Sequence, residues 1–232
     1  MSDAGFVIAP QPIPTARVAG SDGLWPIRRV LCVGRNYADH AREMGADPTR
    51  EAPFFFSKPA DAVVPAQGVV PYPPLTESLH HEIELVVAIG RRTAGATPEH
   101  ARGSIFGYAV GVDLTRRDLQ DEAKELRRPW DGAKGFDRSA PMSAIHPRTS
   151  VLESGPIWLS VNGERRQTGD LSQMIWGVPE IISFASQGIE LLPGDLIFTG
   201  TPAGVSALTP GDRVTGGIDS LEEIDFEVGA GR

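Results

Sequence analysis

The run His80-His81-Glu82-Ile83-Glu84-Leu85-Val86-Val87-Ala88-Ile89 constrains the fold more than any other part of the chain. Alternate residues of a strand share a face. Glu82 and Glu84 therefore point one way and continue into Val86 and Ala88, while Ile83, Leu85 and Val87 occupy the other face. Both faces beyond the glutamates are apolar, the pattern of a strand covered on both sides. A solvated face would suit a glutamate pair taken alone. Two acids entering a strand that is dry on both sides need a cation instead, because unpaired buried charge is costly.

A second apolar run, Phe106-Gly107-Tyr108-Ala109-Val110-Gly111-Val112-Asp113, also ends in an acid. Asp113 shares its face with Gly107, Ala109 and Gly111, and small residues beside an acid leave room for a ligand. A strand-end turn or a helix cap accounts for Asp113 equally well from this segment alone. The one cysteine, Cys32, excludes an internal disulfide framework and a thiolate metal cluster. Its neighbours Val30, Leu31 and Val33 make it a buried, inert thiol on a strand. Three carboxylates without a thiolate suit a hard cation: Mg²⁺, Mn²⁺ or Ca²⁺. His81 falls on the face opposite Glu82 and is not expected to be a ligand.

Gly and Pro number 26 and 20 in 232 residues, so turns are frequent and the apolar segments between them are short. Strands are expected at 29–33, 54–57, 82–89, 105–113, 156–162 and 196–198, the fifth ending in an Asn162-Gly163 hairpin turn. Helices are expected at 37–44, from Thr97-Pro98, after Thr115, and from Val178 to Gly188. Strands outnumber helices without regular alternation, which favours an α+β fold with a β-rich core. Residues 1–28, with Pro10, Pro12, Pro14 and Pro26, read as an arm or added edge, and 29–230 as a single catalytic domain. A net charge of −8 argues against a general nucleic-acid binder. No apolar run reaches the length of a membrane span. The start of the chain has no basic and apolar leader, so the cytosol is the expected compartment.

Asn36-Tyr37-Ala38-Asp39-His40-Ala41-Arg42-Glu43-Met44-Gly45 reads as a short helix capped by Asn36 and closed by Gly45. His40 and Glu43 lie one turn apart, so their side chains can meet. A carboxylate on one imidazole nitrogen orients the ring and raises its basicity, which suits a base acting on water. An ordinary surface pair fits the same residues. The helix is too short to be stable alone and would order when something docks against it. Lys134, between Gly132 and Gly135, could hold a carboxylate or enolate oxygen, or be an exposed turn lysine. Phe198-Thr199-Gly200-Thr201-Pro202-Ala203-Gly204 ends a strand in a polar loop whose amides and hydroxyls could bind a carboxylate. It lacks the Gly-Lys-Ser/Thr of a phosphate loop.

Taken together, these words in this order resemble the fumarylacetoacetate hydrolase family, in its short acylpyruvase-type branch. The matching words are Cys32-Val33-Gly34-Arg35-Asn36-Tyr37, His40 to Glu43, Phe56-Ser57-Lys58-Pro59, His81 to Leu85, Asp113 to Gln120, Lys134-Gly135-Phe136, Val161-Asn162-Gly163 and Thr199 to Pro202. They span about residues 29–228. Asp47-Pro48, Pro53 to Phe56 and Ala60 to Val64 are most similar to fumarylpyruvate hydrolases of gentisate breakdown.

The resemblance implies a mixed β-sandwich roll forming a homodimer, with a divalent metal on Glu82, Glu84 and Asp113. It makes His40 and Glu43 the water-activating dyad on a lid segment and places Lys134 beside the substrate. Arg117, Gln120 and Thr201 become substrate-binding candidates, and Arg35 and Lys58, on recurring words of the family, join them. The implied reaction is hydrolysis of the C–C bond of an acylpyruvate, with fumarylpyruvate giving fumarate and pyruvate. The implied partner is a small 2-oxo acid, with no nucleic acid and no membrane. Oxaloacetate decarboxylation or isomerisation of a hydroxymuconate-type compound would use the same pocket. A metal-dependent binding protein that has lost the chemistry is the non-enzymatic alternative, and the intact His40–Glu43 pair counts against it.

Overall fold

The computed structural model describes residues 5–43 and 51–231. The elements run in the order β1 (Thr15–Arg17), β2 (Leu24–Pro26), β3 (Arg29–Gly34), α1 (Ala38–Glu43), β4 (Phe54–Lys58), β5 (Val63–Pro65), β6 (Gln67–Pro71), β7 (Leu79–His80) and β8 (Ile83–Ile89). There follow α2 (Pro98–Ala101), β9 (Ile105–Val112), β10 (Thr115–Arg116), α3 (Arg117–Glu125), α4 (Asp131–Lys134), β11 (Ala140–Met142) and β12 (His146–Pro147). The chain closes with β13 (Pro156–Val161), β14 (Glu164–Asp170), α5 (Val178–Gly188), β15 (Asp195–Phe198), β16 (Ala207–Leu208), β17 (Arg213–Ile218) and β18 (Ile224–Gly229).

Two mixed sheets carry the architecture. The larger has the order β4-β3-β15-β8-β9-β11-β5, with β12 added on β9, and the smaller is β14-β13-β17-β18-β6. β8 sits at the centre of the larger sheet, and all seven of its residues are buried. Its Ile83, Leu85 and Val87 join Val110 and Val112 of β9 against Ile157, Leu159, Val214 and Phe226 of the smaller sheet. Its Val86 and Ala88 face the other way, into a second core with Cys32, Ala109, Leu196 and Phe198. Each fully buried aliphatic or aromatic side chain contributes roughly 1.5–3 kcal/mol, so a strand with two dry faces is held in register from both sides.

The local signals act as their chemistry requires. Asn162 and Gly163 both take the left-handed backbone (φ 52° and 81°) that joins β13 to β14. Thr97 caps α2 ahead of Pro98, and α5 runs to Gly188. The helix expected at 37–44 is Ala38–Glu43; its expected close at Gly45, and the Asp47-Pro48 word, lie outside the described residues. β1 and β2 form a hairpin applied to the larger sheet, where Trp25 stacks on Phe106 at 4.5 Å and Ala19 N–H donates to Ile145 O (2.9 Å). No helix among the described residues is long and apolar enough to cross a membrane.

Candidate active site

The register of β8 on β9 builds the acidic cluster. Glu84 lies opposite Gly111, and Asp113 N–H donates to Glu82 O (2.8 Å) just beyond the last paired residues. One face at one end of this strand pair therefore carries Glu82, Glu84 and Asp113. All three are buried, and each presents a carboxylate oxygen within 4.8 Å of the others. The small residues of β9 have a different use from the one expected. A Cβ at Gly111 would come within 2.6 Å of Phe198 and Val86 side chains, and one at Gly107 within 2.2 Å of the His146 carbonyl. They make room for neighbouring protein rather than for a ligand.

Cations converge on the cluster from three other elements. Lys134, at the end of α4, donates to Glu82 (2.8 Å), Asp113 (2.7 Å) and the Thr115 hydroxyl (2.6 Å). It is buried, not an exposed turn lysine. Arg117, at the start of α3, pairs with Glu82 and donates to Gln120 Oε1. Lys58, the last residue of β4, pairs with Asp113 (2.7 Å) and donates to Leu114 O (3.0 Å) and Lys134 O. Its side chain is 0% exposed. Lys58 is thus occupied by Asp113 and two backbone carbonyls, and it is not among the residues that line the pocket described below.

Burial acts to raise the Glu82 carboxyl, but the charges of Lys134 and Arg117 outweigh it and hold Glu82 well below the ordinary range. Burial likewise opposes the charge on Lys134, yet Asp113 and Glu82 keep it raised and cationic. Glu84 differs. Burial, then the charges of Asp113 and Glu82, push it well above the ordinary range. Among the described residues its hydrogen-bond partner is the Gly200 amide (2.7 Å) and no cation pairs with it. Three clustered oxygen donors, one of them without a counter-ion, fit a divalent hard cation.

His40 and Glu43 meet on α1, with Nδ1 at 3.3 Å from Oε2. The Gly204 amide donates to both Glu43 oxygens (3.1 Å each), tying the end of α1 to the loop after β15. The start of the helix is tied too. Asn36 donates to Thr199 O (2.8 Å) and Trp176 O (3.0 Å) and accepts from Trp176 N–H (2.8 Å). His40 is 7% exposed, so the pair is not an ordinary surface salt bridge.

One pocket collects His40, Glu82, Glu84, Lys134, Arg117 and Gln120. Arg35, Thr201 and Gly200 line it as well, with Phe56, Lys124 and Trp130. The Thr201 hydroxyl accepts from Gln167 Nε2 (2.8 Å), which leaves its proton for the pocket. Gln167 also binds His81 Nδ1 (2.9 Å) and the Ile83 amide (3.1 Å) through its Oε1, so His81 is a structural residue behind the cluster. The Thr199-Gly200-Thr201 loop does bind a carboxylate through its backbone, but that carboxylate is Glu84. Trp130, Lys124 and Gln167 escape a sequence reading because no spacing rule links them to the acids.

Residues 29–228 match the family described as fumarylacetoacetate (FAA) hydrolase C-terminal. The chain belongs to the fumarylacetoacetate hydrolase family. Its mixed, sheet-rich architecture is consistent with that domain's fold. The structure of a fumarylpyruvate hydrolase from Pseudomonas aeruginosa in complex with Mn²⁺ and pyruvate superposes with a TM-score of 0.94 at 48% identity, covering 97% of this chain and 100% of that one. A Burkholderia cenocepacia protein provisionally assigned as a fumarylpyruvate hydrolase gives 0.93 at 56% identity, covering 100% and 98%. The mitochondrial oxaloacetate tautomerase FAHD1 of Rattus norvegicus is 43% identical over 203 residues, 87% of this chain and 91% of its own length.

Proposed function

We propose that this family member is a divalent-metal-dependent acylpyruvate hydrolase whose preferred substrate is fumarylpyruvate. The observation that carries the reading is a buried, carboxylate-oriented histidine in the same pocket as Lys134 and as Glu82 and Glu84, two members of the three-acid cluster. The Mn²⁺ and pyruvate of the Pseudomonas relative support the metal and the product end of the substrate. Glu82, Glu84 and Asp113 would hold the cation, which supplies Lewis acidity toward the 2-oxo acid end of the substrate when bound.

The rest of the chemistry belongs to the chain. Glu43 takes up the Nδ1 side of His40, which leaves Nε2 as the basic nitrogen facing the pocket. His40 removes a proton from water, and the resulting hydroxide adds to the distal carbonyl carbon of the acyl group. The tetrahedral adduct collapses by breaking the bond to the pyruvate methylene. The electron pair of that bond leaves with the pyruvate fragment as an enolate, later protonated by the imidazolium. Lys134, held cationic by its two acids, stands where negative charge develops. Arg117, Gln120 and Thr201 offer donors that orient the substrate.

A second reading, oxaloacetate tautomerisation or decarboxylation, is favoured by the FAHD1 relative. Neither reaction consumes water. A panel of fumarylpyruvate, acetylpyruvate and oxaloacetate, with the products identified, separates the readings. Acylpyruvate hydrolysis that is lost on chelation and restored by Mn²⁺ or Mg²⁺ is the expected result. Turnover of oxaloacetate alone would overturn the hydrolase reading, and full activity with chelator present would overturn the role of the three acids.

A further inference from the structure

The substrate proposed above has a carboxylate at each end, and the metal-side acids and their counter-ions can serve only one of them. Four cations line the pocket among the described residues: Arg35, Arg117, Lys124 and Lys134. Arg117 is paired with Glu82, Lys134 with Glu82 and Asp113, and Lys124 with Asp121 at 3.0 Å. Arg35 has no ion pair among the described residues. Its guanidinium carbon lies 5.7 Å from the centre of the Phe54 ring.

The backbone at Arg35 is constrained in a way that aims the residue. Its φ of 58° is left-handed, a conformation that a long side chain adopts only when its surroundings enforce it. The enforcement is visible on both sides. Gly34 ends β3 with the Phe54 ring so close that a Cβ there would lie 2.1 Å from it. Asn36 is fully buried and bonded to Trp176 and Thr199. Between these fixed points Arg35 is turned onto the pocket wall. An aromatic strip continues from it: Phe54 packs edge-on to Trp130 at 5.5 Å, and Trp130 on Phe56 at 5.8 Å. Trp130 and Phe56 line the same pocket as the acids.

We propose that Arg35 binds the distal carboxylate of a dicarboxylic acylpyruvate, with the flat unsaturated chain lying along Phe56 and Trp130. This makes Arg35 a specificity-determining residue, and it rests on the hydrolase reading for the identity of the substrate. A guanidinium can receive a carboxylate with two parallel hydrogen bonds, a geometry that a lysine cannot reproduce. A neutral acyl end, as in acetylpyruvate, would leave that donor pair unused.

The test compares 2-oxoheptanedioate with 2-oxoheptanoate by calorimetry on the Mn²⁺-loaded protein. The two share the 2-oxo acid head and the chain length, and one lacks the distal carboxylate. Wild-type protein is expected to prefer the diacid by roughly 10–100-fold, the range of a hydrogen bond to a charged group. Arg35→Met should remove most of that preference, Arg35→Lys should retain part of it, and Lys124→Met should leave it. The Arg35 side chain is exposed, so these variants should remain folded. An equal preference in Arg35→Met, its loss in Lys124→Met, or no preference in the wild type would overturn the assignment. Acetylpyruvate turnover reports on the hydrolase reading separately. A protein that binds with the Arg35-dependent preference but hydrolyses no acylpyruvate loses the reaction and keeps the subsite.

Discussion

At the scale of single residues, Glu84 decides how the acidic cluster behaves. Glu82 and Asp113 are matched by Lys134, Arg117 and Lys58, whereas Glu84 is met by one backbone amide. Its carboxyl is therefore raised, by burial first and by its acidic neighbours second. The sign follows from linkage. Where the folded state binds a proton more tightly than the unfolded chain, the stabilisation is complete below the unfolded carboxyl's pKa. It is lost as pH rises through the raised folded value. In chelated protein at neutral pH, Glu84→Gln should thus melt at or above the wild-type temperature, because the amide keeps the acceptor for Gly200 and removes the like charge. The same variant should lose the stabilisation by Mn²⁺. A lower melting temperature for chelated Glu84→Gln would show that the carboxylate is structural.

The elements matter because the site is assembled across them. The end of the β8–β9 pair supplies the acids, β4, α3 and α4 the cations, α1 the dyad, and the loop after β15 the amides that hold Glu84 and Glu43. The weak point of this assembly is the strand pair. Gly111 faces Glu84 in the register and lets β9 lie against Phe198. Gly111→Ala should cost about 1–3 kcal/mol by overpacking. That corresponds to a drop of roughly 2–4 °C per kcal/mol in a chain of this size. Metal affinity should fall with it, since Glu84 and Asp113 shift together. Unchanged melting and unchanged Mn²⁺ affinity would mean that the sheet relaxes without moving the acids. The strands at 82–89 and 105–113 are legible because their apolar runs are long and their acids break the pattern. β5, β7, β11 and β16 are not, because two or three residues paired by tertiary contacts leave no period to read.

On the scale of the whole molecule, the acids, the lysine and the dyad are spread from residue 40 to residue 134 and are joined only by the fold. Family resemblance singled them out as candidates, whereas local spacing alone left Asp113, Lys134 and the His40–Glu43 pair each with a plainer reading. The motif word of Lys58 likewise carries no sign of whether the ammonium faces the pocket or, as observed, pairs with Asp113. A ligand that binds only the folded chain stabilises it by mass action. Mn²⁺ at one hundred times its Kd should therefore add about 2.7 kcal/mol. The affinity should weaken as pH falls, since protons compete for Glu84. A metal affinity independent of pH through the mildly acidic range would contradict the assignment of Glu84 as a ligand.

The central claim is that His40 activates water for C–C hydrolysis, and the most direct test is the rate of His40→Ala on two substrates. With Mn²⁺ binding retained, kcat for fumarylpyruvate hydrolysis should fall by roughly 10²–10⁴, the usual contribution of a positioned acid–base group. Any oxaloacetate decarboxylation should fall far less, because that reaction needs no activated water. Hydrolysis of fumarylpyruvate by His40→Ala at the wild-type rate would contradict the mechanism.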